Sequence, residues 1–228
     1  MEGSVMICKR IYFLVTVVIV VSSSIAISDE LKLERKEGTK YKRVVIKDVF
    51  VVEETQNCLR YLVFNKQYQS PEPRLANKTE GGDEQCASYK KSSDDERKAI
   101  LWKWRKQSYT AKVTLVDGTS DEVYCTSIKY PLSSSASKYE AIQPWQKPAL
   151  LLRDGSELKF SDVNSISLDP KTASATLRDK KGKTRNVQYV IKRRIHNGDL
   201  NGVLIGITDK YTYYRTQIDK IIMIELIK

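Results

Sequence analysis

The chain has 228 residues, 41% of them apolar and 29% charged, which is enough to bury a core without disulfides or metal. That composition excludes an intrinsically disordered chain, which would lack the recurrent Val, Ile, Leu and Tyr found here. The formal charge is +11 and the one histidine is His196, so a His-rich metal site is excluded; no CxxC or GxGxxG signature occurs and no cofactor is expected.

Lys9 and Arg10 precede an eleven-residue apolar run from Ile11 to Val21, and small or hydroxylated residues follow. This pattern predicts a signal peptide over residues 1–28, cut after Ala26 or after Ser28. The alternative is an uncleaved membrane tether, because extending the run to Ser28 gives eighteen residues, near the short end of the roughly 17–25 that span a bilayer. Either way the chain is expected to be exported, to a periplasm or outside the cell. Cys8 lies before the apolar run, so it is not the anchor residue of a lipoprotein. Residues 1–28 carry Lys9, Arg10 and Glu2, a net charge of +1, so the remainder keeps +10. Such a balance attracts anionic partners (phospholipid head groups, acidic polysaccharide or nucleic acid) over a range that salt shortens. A solvated surface that keeps an exported protein in solution is the plainer explanation of the same charge.

Residues 29–42 are charged and read as a loose start. From Arg43, two β-branched and aromatic runs flank a polar Glu53–Asn57 turn, which predicts a hairpin and places an N-terminal unit at 29–65. Residues 66–97 contain Pro71, Pro73 and the pair Gly81-Gly82 with few large apolar groups, and read as a polar excursion or linker. Asn77-Lys78-Thr79 within it is a glycosylation sequon. Residues 98–228 form the last unit. Its first stretch, Ile100 to Arg105, alternates apolar and charged residues and is expected to be a strand, preceded by at most a short helix near 93–99. In the helical reading of the same stretch, Ser93 and Glu96 make a capping box and Trp102 and Trp104 point apart.

One pattern then recurs. Asp117-Gly118, Asp154-Gly155 and Asp179 with Gly182 each sit between β-forming runs, and are expected to close hairpins by type I′ turns with positive φ at both central residues. The stretches from Phe160 and from Ile218 share a skeleton of apolar residues separated by polar pairs, suited to a single turn that swings the chain into its next strand. Together these make a repeat of roughly forty residues. Asn197 to Ile207, with Gly198, Gly202 and Gly206, resembles the bent, glycine-containing strands of small SH3-like or Sm-like barrels. The expected fold is all-β: repeated antiparallel hairpins forming a sandwich or an open SH3-like barrel.

Two groups of residues are candidates for binding. Lys180, Lys181, Lys183 and Arg185 crowd the third turn, and Lys192 with Arg194 end the next strand, directed outward if Val187, Tyr189 and Ile191 face inward. Trp102 and Trp104 stand among Lys103, Arg105 and Lys106, a composition used to stack sugars or bases beside an anionic backbone; as strand residues both would be core. Among the cysteines, a Cys58–Cys86 disulfide is expected, tethering the polar segment and contributing roughly 3–4 kcal/mol. Alternation through EVYCTSI puts Cys125 on the side of Val123 and Ser127, as a packed residue rather than a nucleophile. An enzyme would have to draw on Cys125 with His196, and no spacing brings them together. The chain therefore reads as a non-enzymatic exported module that binds an envelope or extracellular protein partner through sheet edges and basic loops. The rival is a binder of an anionic polymer or membrane surface, and a third reading is a hydrolase with an unrecognised site.

Overall fold

The computed structural model describes residues 29–38, 40–78, 84–130, 145–195 and 198–227. The signal-peptide stretch and His196 lie outside the described residues. Among the described residues the fold is all-β with one α-helix.

Its first part is a closed five-stranded barrel of β1 (Asp29–Glu37), β2 (Lys40–Glu54), β3 (Cys58–Asn65), β4 (Ser70–Asn77) and β5 (Glu84–Lys90). The expected 43–65 hairpin is β2 and β3, joined across the polar turn. The charged start at 29–42 is not loose, because β1 pairs on both sides, with β2 and with β5. Nor is 66–97 an excursion: it supplies two of the five strands. Pro71 and Pro73 are tolerated in β4 because that strand pairs fully only with β3 and meets β5 through the single pair Asn77 and Gln85. So small a barrel needs few large side chains. Leu31, Leu33, Val49, Leu59, Tyr61 and Ala76 fill its interior, and the Tyr61 hydroxyl donates to Glu84 Oε2 at 2.6 Å while Arg35 holds Glu84 Oε1 at 2.7 Å.

Helix α1 (Asp94–Arg105) replaces the strand expected from Ile100. Its start is fixed by the capping box: the Ser93 N–H donates to Glu96 Oε2 at 2.7 Å and the Glu96 N–H to Ser93 Oγ at 3.4 Å. Asp94, Asp95 and Glu96 in the first turn, and Lys103 and Arg105 in the last, suit the helix dipole. Helical spacing gathers Ile100, Leu101 and Trp104 on one buried face. That face packs against Phe50 and Leu62 of the barrel on one side and Tyr124, Cys125 and Ile207 of the second sheet on the other. A buried hydrogen bond from Gln146 Nε2 to Ser70 Oγ, 2.6 Å, also joins the two parts.

The second part is a sheet whose strand path runs β13 (Thr184–Gln188), β12 (Ser174–Asp179), β11 (Val163–Asp169), β18 (Ile221–Ile227), β6 (Thr110–Leu115), β7 (Ser120–Tyr130), β16 (Val203–Ile207) and β17 (Tyr213–Gln217). β8 (Trp145–Lys147) adds to β7, while β9 (Ala149–Leu151) with β10 (Glu157–Lys159), and β14 (Lys192–Ile195) with β15 (Gly198–Asn201), form small hairpins. The turns after Leu115, Leu152 and Asp179 share one geometry that differs from the expected type I′. In the first, the Leu115 N–H donates to Thr119 O at 2.8 Å and the Gly118 N–H to Leu115 O at 2.9 Å; the other two repeat both bonds. Only the glycine has positive φ, 85° at Gly118, 84° at Gly155 and 81° at Gly182. Each is thus a type I turn ending in a glycine bulge, one residue longer than expected. Asp117 and Asp154 accept hydrogen bonds from Thr119 and Ser156, which hold both carboxyls below the usual carboxylate range. A fourth copy, Thr208 to Thr212, places Tyr211 at φ 61° where the others have glycine. Its ring stacks on Phe50 at 5.3 Å, packing that offsets the left-handed backbone.

The repeat is visible in the register. The skeletons Phe160, Val163, Ile166, Leu168 and Ile218, Ile221, Ile224, Leu226 each begin with a 3₁₀ turn, at Phe160–Asp162 and Ile218–Lys220. β11 and β18 then pair antiparallel with Ile166 opposite Ile224, the relation of a local two-fold. Leu177 of β12 faces Ile166 and Val113 of β6 faces Ile224, each two residues before a glycine-bulge turn. One copy is continuous from β9 to β13. The other is split, with β6 and β7 before it in the chain and β16, β17 and β18 after it. Their apolar faces share one core containing Val113, Phe160, Ile166, Leu177, Ile218 and Ile224.

β7 serves two cores because it bulges. Ile205 pairs with Ser127 but Ile207 with Tyr124, and Cys125 sits at φ 56° in the slack. Strict alternation fails there, so Cys125 lies with Tyr124 against α1, while Val123 and Ile128 lie together in the core of the second sheet.

Candidate functional site

Cleft geometry follows from the helix. Residues two apart on a helix lie on different faces, so burying Trp104 (2% exposed) turns Trp102 outward (59% exposed). Trp104 meets Phe50 edge-on at 4.7 Å and Phe64 at 5.5 Å. Trp102 stands at the rim of a cleft of about 530 Å³ between the end of α1 and the second sheet. Tyr109, Phe160, Val163 and Leu226 give that cleft apolar walls, and Arg105, Lys106 and Lys180 bring positive charge to it. Among the described residues, none that lines it is a carboxylate. Lys106 Nζ sits 3.2 Å from the centre of the Trp102 ring, and Arg105 stacks over Tyr124 at 4.3 Å.

The two groups of candidates from the sequence are therefore rearranged. Trp102 and Lys180, far apart in the chain, come to one cleft, whereas Trp104 leaves the site for the core. Lys181, Lys183 and Arg185 are exposed along the same turn as Lys180, and none of the four forms an ion pair among the described residues. Asp179 Oδ1 accepts the N–H groups of Lys181 and Lys183 at 2.8 and 2.9 Å, which holds the turn in shape. Lys192 is exposed but does not continue β13. The chain leaves that strand at Gln188, buries Tyr189 against Leu152, and starts the separate β14 hairpin. Lys192 lines another cleft, of about 350 Å³, with Arg153; the side chain of Arg194 lies outside the described residues. Arg105 and Lys106, which the sequence offers only as charges beside the two tryptophans, join Lys180 as the cations of this cleft.

Cys58, Cys86 and Cys125 are free thiols, so the expected Cys58–Cys86 bridge is not formed in this structure. The two lie on β3 and β5, with β4 paired to both strands between them. Burial raises the Cys86 thiol above its ordinary range and pushes Cys125 up to about 12, so neither is poised as a thiolate at neutral pH. Comparison with protein-family models, with curated proteins and with solved structures finds no match to this chain.

Proposed function

We propose that this protein is an exported, non-enzymatic module that binds an anionic ligand having a flat apolar face, in the cleft between α1 and the second sheet. The observation that carries this reading is the union of an exposed indole with Arg105, Lys106 and Lys180 around a cleft whose described lining holds no carboxylate. A volume of about 530 Å³ falls within the roughly 300–1,000 Å³ of small-ligand pockets. The apolar walls supply contact area, and the cations, set at the rim where water is partly displaced, choose the sign of charge. The charge of the whole chain, +11, draws such a ligand in from a distance. This reading places binding at the helix rather than at sheet edges.

Retention on a sulfated-polysaccharide matrix, eluted with salt, tests it. Trp102→Ala and Lys180→Glu are expected to elute at clearly lower salt than the parent, and Lys192→Ala close to it, with thermal melts unchanged because all three side chains are exposed. Parent-like elution of Trp102→Ala and Lys180→Glu, with early elution of Lys192→Ala, would place binding at the β14 hairpin and overturn the proposal.

A further inference from the structure

We infer that the ligand of this site is a linear acidic polysaccharide, laid across Trp102 in a groove made of two clefts. This rests on the anionic-ligand reading above and adds the shape and class of the ligand. A second cleft, of about 730 Å³, has Lys98, Leu101 and Asp209 among its lining. Both clefts are lined by Trp102 and Arg105, so they are neighbours across one ridge and a single chain passes from one to the other over the indole.

The aromatic rings decide between polymer classes. Single-stranded nucleic acid is held by stacking successive bases on successive aromatic faces. Here Tyr124 is 9% exposed with its ring under Arg105 at 4.3 Å. Tyr211 is 8% exposed, its ring against both Phe50 at 5.3 Å and Arg97 at 4.7 Å. Tyr109 is turned edge-on to Phe160. Trp102, 59% exposed, is the most open of these rings, and Lys106 stands over one face of it. One platform suits a pyranose ring, whose apolar C–H face rests on an indole while its carboxylate or sulfate groups reach the flanking cations.

The test is a titration of the full chain with size-fractionated heparin oligosaccharides from disaccharide to dodecasaccharide, beside inorganic sulfate, oligothymidylate of matched charge, and phosphatidylglycerol vesicles. Affinity is expected to rise at least about tenfold with oligosaccharide length and then level off once both clefts are filled. Trp102→Ala is expected to weaken the long chains by about five- to a hundredfold. Ala99→Glu, which sets a carboxylate in the second cleft, is expected to abolish the gain with length while leaving disaccharide binding as it was. Equal affinity for disaccharide and dodecasaccharide would overturn the groove but leave the anionic-ligand reading intact. Tighter binding of oligothymidylate or of vesicles, lost in Trp102→Ala, would overturn the polysaccharide class alone. Binding of none of these probes would overturn both readings.

Discussion

Trp104→Ala is expected to lower stability by about 3–5 kcal/mol, while Trp102→Ala changes it by less than about 0.5 kcal/mol. Trp104 is 2% exposed and wedged between Phe50 and Phe64, where barrel, helix and sheet meet. Truncation there removes ring contacts on two sides and leaves a cavity whose walls belong to separate elements, so collapse around it is limited. In a chain of this size the loss corresponds to a fall in Tm of roughly 6–20 °C. Trp102 has little packing to lose, because its ring lies mostly in water under the Lys106 ammonium. Thermal and urea unfolding of the two variants check this. A penalty at Trp102 as large as that at Trp104 would contradict the orientation of α1, and with it the cleft.

Gly206→Ala is expected to be the more damaging of two glycine substitutions. A Cβ on Gly206 would meet Val123 Cγ1 at 2.3 Å and the Tyr124 carbonyl oxygen at 2.7 Å. The second contact is backbone, held where β7 bulges at Cys125, and Val123 is fully buried, so neither gives way cheaply. Overpacking of this kind costs about 1–3 kcal/mol and occasionally more, and the upper end is expected because the displaced strand serves two cores. Gly118→Ala adds its methyl into open space, and its cost is the left-handed backbone at φ 85°, about 1–2 kcal/mol. Urea midpoints of the two variants should fall in that order; a smaller loss for Gly206→Ala would mean that β7 and β16 are not packed as described.

Much of the architecture is written in local chemistry. The glycine turns and the apolar skeletons after Phe160 and Ile218 mark hairpins and 3₁₀ turns because their φ requirements and spacing are local properties. The length of the turns was less legible, since Asp-Gly serves both a two-residue loop and a glycine bulge, and only the pairing of the flanking strands decides. Ile100, Trp102 and Trp104 form a period-two pattern that suggests a strand; Leu101 and the Ser93–Glu96 box belong to the competing helical pattern, which wins because Ile100, Leu101 and Trp104 then bury together. β4 and β5 carry little local signal because a narrow barrel interior asks little of them: in β4 only Pro71 and Ala76 are buried apolar residues, while Leu75 faces outward. Alternation gave no warning of the bulge at Cys125, which depends on the bare backbone of Gly206 across the pair. The cleft was legible only as parts. Trp102 and Lys180 each carried a signal, but what joins them is the docking of α1 beside β11 and β18, a tertiary event with no local trace.

Hydrogen–deuterium exchange of the full chain, with and without a heparin dodecasaccharide, tests the central claim most directly. The account predicts slowed exchange over the end of α1 and the residues that follow it to Thr110, at the Phe160–Asn164 turn, and at the Asp179–Lys183 turn, because these segments border the cleft. Exchange in the β14–β15 hairpin around Lys192 is predicted to stay unchanged. Protection confined to that hairpin, or spread evenly over the basic surface with none at α1, would contradict it.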